Sequence, residues 1–350
     1  MTGRPAPYQQ LGPELVLDAL ESAGLRGDGR MLQLNSYENR VFQVHLEDGG
    51  SVVAKFYRPD RWSDAQLLEE HAFAHELAAA EVPAVAPLVL QPGVHAPVPL
   101  SLHGDPATLG EVAESAGGYR FAAARCHGGH APEADDPETL RRLGRFIGRL
   151  HAVGARAPFV HRVSLDANRL GHAPIARLLA EGHVTAAEEP AWRTTAEAAM
   201  QRVDAAFAGL GPCRVLRLHG DCHRGNILWR DEEGPHFVDL DDACNGPAVQ
   251  DLWMLLSGGE RPAVTAQLTD LLEGYRNFMD FDERELALIE PLRTLRMIHH
   301  SAWIADRWGD PAFPAAFPWF GSPAYWSQQT SQLREQLEAM DEPPPSPSAQ

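Results

Sequence analysis

Leu218-His219-Gly220-Asp221-Cys222-His223-Arg224-Gly225-Asn226-Ile227-Leu228-Trp229 is the stretch whose reading decides the fold. It contains Asp-x-x-x-x-Asn, and Phe237-Val238-Asp239-Leu240-Asp241-Asp242 follows soon after. The intervening Asp231-Glu232-Glu233-Gly234-Pro235 reads as a turn, so Ile227–Trp229 and His236–Val238 are expected to pair as a hairpin. Such a pairing would set Asn226 opposite Asp239, beside the loop holding Asp221. Oxygen ligands converging in this way suit a hard divalent cation, and Mg²⁺ with nucleotide phosphates needs only one or two of them from protein.

Working outward, the next informative residue is Lys55. It is the only lysine in the chain; the other 29 of the 30 basic residues are arginine. A compact ammonium and a planar guanidinium are not interchangeable, and Val52-Val53-Ala54-Lys55 matches the strand-borne lysine pattern of kinases. Phosphoryl transfer asks for an acceptor of the substrate hydroxyl proton, ligands for a phosphate-bridging metal, and a cation on the α- and β-phosphates. Asp221 is the expected base, Asn226 and Asp239 the metal ligands, and Lys55 the cation. A carboxylate on the next helix should hold the lysine; Glu69, Glu70 and Glu76 are candidates, with Glu70 preferred for its mid-helix position. An isolated Asp-x-x-x-x-Asn arises often by chance, and Asp221 alone could be a turn residue. It is the order that carries the reading: β-rich region, lysine strand, acidic helix, hinge, helical region, Asp loop, hairpin, second Asp.

The organisation along the chain agrees with that order. Met31–Leu34, Val41–Leu46 and Ser51–Phe56 are short and rich in β-formers, with Asp48-Gly49-Gly50 as a hairpin signal. Ser63 and Asp64 open a helix that stops before Pro83, and Pro-rich short strands follow through Tyr119–Ala124. Phe121–Cys126 is the expected hinge whose backbone meets adenine. After Gly128-Gly129 the pattern turns helical, beginning with an amphipathic run from Thr139 to Val153. The fold class expected is α+β: a bilobal protein-kinase-like fold with a small β-rich N-lobe carrying one inserted helix (1–122) and a larger, mainly helical C-lobe (123–340). The last residues, 341–350, are Pro- and Ser-rich and read as a disordered tail.

Composition narrows the function classes. Of 350 residues, 44% are hydrophobic and 22% charged, enough for a real core, and the formal net charge is −18. A surface that acidic repels polyphosphate, which argues against a nucleic-acid partner. No apolar run approaches the roughly 18 residues of a membrane span, and Met1–Gln10 lacks the apolar core of a signal peptide, so a cytoplasmic protein is expected. The four cysteines form no C-x-x-C pair and read as reduced thiols. His71 and His75 are the only i,i+4 pair with a helical look; they lack H-E-x-x-H and read as ordinary helix-surface residues. Trp303, Trp308, Phe317, Trp319, Phe320, Tyr325 and Trp326 read as packing aromatics.

His-Gly-Asp-x-His-x-x-Asn followed by an Asp-bearing strand resembles the aminoglycoside-phosphotransferase/choline-kinase-like branch of the protein-kinase-like fold. More narrowly, several stretches are similar to the bacterial stress response kinase A family (the YihE/RdoA proteins). These are Leu34-Asn35-Ser36-Tyr37-Glu38-Asn39-Arg40-Val41, Lys55-Phe56-Tyr57-Arg58-Pro59, the 219–229 stretch, Phe237-Val238-Asp239-Leu240-Asp241-Asp242-Ala243, Gly246-Pro247-Ala248-Val249-Gln250-Asp251-Leu252-Trp253 and Asp310-Pro311-Ala312-Phe313. The resemblance runs nearly end to end. It implies a monomeric cytoplasmic Ser/Thr protein kinase that uses ATP and Mg²⁺ and protects stressed cells against programmed death. It also implies that Asp221 accepts the proton, that Asp239 and Asn226 hold magnesium, and that Ser36 lies in the loop covering the ATP phosphates. No G-x-G-x-x-G separates the first two strands, so the Ser36 hydroxyl would be one of the phosphate contacts; a plain turn serine is the other reading. Asp251 is either a helix cap or, as in the family, an anchor for the catalytic loop. Two rivals remain: a kinase of small alcohols on the same fold, which the −18 charge would suit if the acceptor were cationic, and a nucleotide-binding scaffold without catalysis.

Overall fold

The computed structural model describes residues 7–133, 135–258 and 261–347. The chain divides into two units: Met1–His130 with Leu228–Asp241, and Ala131–Ile227 with Asp242–Gln350.

The first unit is built on an antiparallel six-stranded sheet, counted among the described residues. In chain order its elements are α1 (Pro13–Ser22), β1 (Gly27–Leu34), β2 (Arg40–Leu46), β3 (Ser51–Phe56), α2 (Asp64–Ala79), β4 (Leu100–Gly104), β5 (Ala107–Val112) and β6 (Arg120–Arg125). The spatial order is β1-β2-β3-β6-β5-β4. The period-2 alternation of β3 buries Val52, Ala54 and Phe56 in a core shared with Val16, Leu20, Phe42, Val44 and Phe121. Ser51, Val53 and Lys55 therefore take the opposite face. Ser63 starts α2 with a capping box: its hydroxyl accepts the Gln66 N–H at 3.3 Å, while Gln66 Oε1 accepts the Ser63 N–H at 2.9 Å.

Phe121–Cys126 is not a free hinge. Phe121 to Arg125 lie in β6, paired residue by residue with Phe56 to Val52, and only Cys126 lies beyond the strand. Phe121, Ala122 and Ala123 are buried, which is why this segment joins the sheet. The first unit runs to His130, and the hairpin of β8 (Ile227–Arg230) and β9 (Gly234–Phe237) goes largely with it. Backbone bonds explain this. The Trp229 N–H donates to the His130 carbonyl at 2.7 Å, Phe237 N–H to Pro83 O at 2.8 Å, and Val85 N–H to Phe237 O at 2.9 Å.

The second unit is mainly helical. It contains α3 (Pro137–Gly154), α4 (Ala173–Ala180), α5 (Glu189–Leu210), β7 (Leu216–Leu218), β10 (Cys244–Gly246), α6 (Val249–Trp253), α7 (Arg261–Tyr275), α8 (Ile289–Asp306), α9 (Ala312–Ala316) and α10 (Pro323–Asp341). Helix α3 is capped by Asp136, whose carboxylate accepts the Thr139 N–H at 2.8 Å. It packs closely on α7 because Gly144 leaves room; a Cβ there would meet the Leu271 carbonyl at 2.0 Å. Strands β7 and β10 pair antiparallel and flank the catalytic-loop sequence. The aromatics of 303–326 interlock edge to face, with Phe313 and Trp326 wholly buried and Trp319 exposed. His71 departs from the surface role expected of it. It is buried, bonded through Nε2 to the Tyr57 hydroxyl at 2.8 Å and through Nδ1 to Thr108 at 2.9 Å. No described helix is long and apolar enough to cross a membrane.

Candidate active site

In the first unit Lys55 meets the carboxylates that follow β9. Its Nζ donates to Asp239 Oδ1 at 2.7 Å and to Asp241 Oδ1 at 3.0 Å. Its hydrogen-bond partners are thus two aspartates of the 237–242 stretch, not a glutamate of α2. Glu70 is buried on α2 and acts on the lysine through space. Burial works against the ammonium, but Asp239 and Asp241, with lesser help from Tyr57 and Glu70, hold its pKa well above the ordinary lysine value. Lys55 stays charged.

Asp241 is the buried centre of this group. Besides Lys55 it accepts from Arg61 at 3.1 Å and from the Asn39 amide. Burial alone would raise its pKa, yet Lys55 and then Arg61 pull the carboxyl well below the usual range. Asn39 in turn accepts the Arg58 N–H at 3.1 Å, and Arg58 donates to the carbonyls of Glu38 at 3.0 Å and Tyr37 at 3.2 Å. These bonds fasten the loop between β1 and β2. Within that loop the Ser36 hydroxyl oxygen accepts the Asn39 N–H at 3.3 Å, a turn contact that still leaves the hydroxyl proton to donate.

Asp239 sits at φ +61°. A non-glycine residue in that left-handed region carries strain of order 1 kcal/mol. The strain is spent where β9 ends and the 3₁₀ turn Leu240–Asp242 begins, so that two aspartates separated by one residue both reach Lys55. Asp239 is the more exposed, with 47% of its side-chain surface accessible against 5% for Asp241. Its second oxygen has no partner among the described residues.

In the second unit the loop after β7 is held by one buried carboxylate. Asp251 accepts the N–H groups of His219 and Gly220, both at 2.8 Å, and lies 3.0 Å from His151 Nε2. Gln250 Nε2 adds a bond to the Gly220 carbonyl at 2.8 Å. Asp251 is therefore a loop anchor. Gly220 cannot be replaced cheaply: its φ is +84°, and a Cβ would meet the Asp242 carbonyl at 2.0 Å.

Asp221 follows directly. Arg296 on α8 donates to its Oδ1 at 2.5 Å, while Asn226 Nδ2 donates to its carbonyl at 3.0 Å and its Oδ2 at 3.3 Å. His223 Nδ1 accepts the Gly225 N–H at 2.9 Å, so a neutral His223 ring carries its proton on Nε2, which faces Asp221 Oδ2 at 3.4 Å. Burial would raise the Asp221 pKa, but His223 and Arg296 together hold it well below the ordinary carboxylate value. With Nδ2 engaged, Asn226 presents Oδ1, which has no partner among the described residues. Cys222, next to Asp221, is buried, and burial together with Asp251 and Asp221 pushes its thiol far up. It is an inert thiol, and all four cysteines are free.

Asn226 Oδ1 in the second unit and the open oxygen of Asp239 in the first are each a hard donor of the kind Mg²⁺ prefers. Sequence reasoning had assigned no role to Asn39, Arg61, Asp241 or Arg296. Asp241 could have been found from the Asp-x-Asp spacing of 239–241, which places two carboxylates on one short turn. Nothing local in the sequence marks Arg296, which lies 75 residues beyond its partner.

The chain is similar in sequence and in fold to several known proteins. The phosphotransferase enzyme family matches residues 31–289. Stress response kinase A of Escherichia coli strain K12 is 41% identical over 337 residues, covering 96% of either chain. Serine/threonine protein kinase RdoA of Salmonella typhimurium strain LT2 is 41% identical over 343 residues with the same coverage. Among solved structures, amicoumacin kinase hAmiN, in complex with AMP-PNP, Ca²⁺ and Ami, superposes with a TM-score of 0.71 at 17% identity, covering 97% of this chain and 96% of the other. A microcompartment-associated aminopropanol kinase gives 0.65 at 16%, covering 94% and 97%. These two likenesses concern the fold alone.

Proposed function

The chain belongs to the phosphotransferase enzyme family, grouped with the stress response kinase A proteins, and from the premise that it is a kinase we propose that it transfers the γ-phosphate of ATP to serine or threonine hydroxyls of protein. The observation that carries the reading is the pairing of the sole lysine with Asp239 and Asp241, a cation kept charged for a triphosphate.

In this reading the acceptor hydroxyl gives its proton to Asp221 as its oxygen bonds to the γ-phosphorus. The bond from that phosphorus to the β–γ bridging oxygen breaks, and its electron pair leaves with ADP. Lys55 serves the α- and β-phosphates, and Ser36 lies in the loop over them. Asn226 and Asp239 would hold Mg²⁺, which would supply positive charge against that of the phosphates. Asp251, through the His219 and Gly220 amides, fixes the loop from which Asp221 projects. Glu70 tunes the lysine from a distance.

Protein as the acceptor is supported by the 41% identity to the serine/threonine protein kinase RdoA. A role under stress, in the cytoplasm and as a monomer, belongs to the same reading. Radiolabelled ATP and Mg²⁺ are incubated with cell extract and, separately, with a panel of small alcohols. Label on protein that vanishes with Asp221→Ala is expected. Turnover on an amino sugar or amino alcohol far above that on protein would reverse the choice of acceptor; no transfer at all, with ATP bound, would leave a scaffold.

A further inference from the structure

The overall charge of −18 suggests a cationic acceptor, but the surroundings of Asp221 within the second unit have the opposite sign. An open hollow of about 180 Å³ lies there, lined by His223, Trp253, Leu256, Arg293 and Arg296 among others. Both charged residues in its lining are arginines; no carboxylate among the described residues lines it. Arg293 and Arg296 sit one turn apart on α8. The Arg293 guanidinium lies over the Trp253 ring, 5.6 Å from its centre. Its Nε is buried and makes no hydrogen bond, pairing with Glu290 Oε2 only as an ion pair at 3.6 Å. Arg296 is half exposed and spends its guanidinium on Asp221 Oδ1.

That last contact has a steric meaning. Arg296 occupies one oxygen of the proposed base, while His223 and Asn226 face the other. An acceptor hydroxyl approaching Oδ1 meets Arg296 there, and the long, solvent-facing arginine is the group able to swing. A bare hydroxyl offers it no new partner, whereas a carboxylate beside the hydroxyl does. Arg293, with a buried donor already unsatisfied, provides the second contact for the same anion.

We propose that this hollow selects the acceptor. The protein serine or threonine it takes is flanked by acidic side chains, which draw Arg296 off Asp221 and bind between Arg296 and Arg293. The proposal rests on the protein-kinase reading for its substrate class. It adds no chemical step: the hydroxyl proton still passes to Asp221 and the phosphoryl group to the hydroxyl oxygen. Arg296 is a specificity residue in this scheme.

The test uses two labelled peptides of equal length with one central serine, flanked by glutamates in one and by lysines in the other. Their binding to the full chain with Mg²⁺ and a non-hydrolysable ATP analogue is read by fluorescence anisotropy near physiological salt, and phosphate transfer is measured in parallel with ATP. The wild type should bind the glutamate peptide roughly tenfold or more tightly, the yield of one charge-assisted hydrogen bond. The global charge pulls the other way, so long-range attraction cannot imitate this result. Arg296→Ala and Arg293→Ala should each erase most of the gap, and Arg296→Lys should keep part of it. Equal binding, a preference for lysine, or a gap that survives Arg296→Ala overturns the proposal. A glutamate preference in binding without transfer to any peptide upholds the basic hollow and removes the protein-kinase reading. Transfer to both peptides at equal kcat/KM with equal binding does the reverse.

Discussion

Replacing Asp251 by alanine tests how the catalytic loop is held. The residue is 1% exposed and its two oxygens receive three donors: the amides of His219 and Gly220, and His151 Nε2. Hydrogen bonds to a charged group contribute about 1.5–3 kcal/mol each, so a naive sum reaches roughly 5–9 kcal/mol. Relaxation lowers that figure. His151 keeps its second bond, to the Tyr275 hydroxyl at 3.0 Å, and water can enter the space left by the carboxylate. Breaking a buried charged cluster by removing one partner typically costs about 3–5 kcal/mol, and that is the loss expected for Asp251→Ala. Asp251→Asn is the informative companion. It keeps the volume and one acceptor oxygen, but turns an NH₂ toward one of the amides, so about 2–3 kcal/mol is expected. Urea unfolding followed by far-UV circular dichroism reads these as shifts in midpoint at constant slope. Phosphate transfer should fall in both variants by more than the folded fraction accounts for, because Asp221 directly follows the two freed amides. If Asp251→Ala lost less than about 1 kcal/mol and kept its kcat/KM, the anchoring argument would be wrong.

Two further expectations follow from the charged groups. Asp241→Asn should destabilise the chain by about 3 kcal/mol, because it leaves Lys55 and Arg61 facing a buried neutral amide; the same variant should raise the KM for ATP by loosening Lys55, and an unchanged unfolding midpoint would contradict it. Glu285 is buried and its carboxylate accepts the Val249 N–H at 2.9 Å. Burial, with Asp282 adding to it against the Val249 bond, raises its pKa from 4.5 to about 7. The folded chain therefore binds this proton more tightly than the unfolded one. The associated stability is fully present below pH 4.5 and is lost as pH rises through about 7, a change of order 3 kcal/mol. Glu285→Gln, which mimics the protonated form and keeps an acceptor for Val249, should flatten that slope; a slope equal to wild type in midpoints taken from pH 4.5 to 8 would be the contrary result.

The order of elements was readable because its signals are local. The alternation in 51–56 puts Lys55 across from the core, Ser63 with Gln66 marks a helix start, and the turn at 231–235 folds β8 onto β9. What escaped depends on partners far along the chain. Lys55 and Asp241 are 186 residues apart, and no spacing rule connects them; the expectation of a helix glutamate beside Lys55 came from how other kinases are built, whereas here two aspartates take that position. The segment 121–126 was read as a hinge even though a strand was expected through Ala124, because small alanines carry little strand signal. It is its pairing with β3 that makes it a strand. His71 looked like a surface residue because helical periodicity alone does not reveal that Tyr57 and Thr108 stand ready to satisfy both ring nitrogens.

The return of 228–241 to the first unit bears on how the protein is made. At ribosomal rates of about 5–20 residues per second, the first 130 residues emerge several seconds before the short segment that completes their unit. During that interval the ammonium of Lys55 has neither Asp239 nor Asp241 to neutralise it, and the carbonyls and amides of Pro83, Val85 and His130 await their strand. The six strands of the sheet have all been made by then, but the backbone groups of the loops at 83–85 and 130 stay open until the intervening helices have been synthesised, and a fragment ended at residue 130 would keep them open permanently.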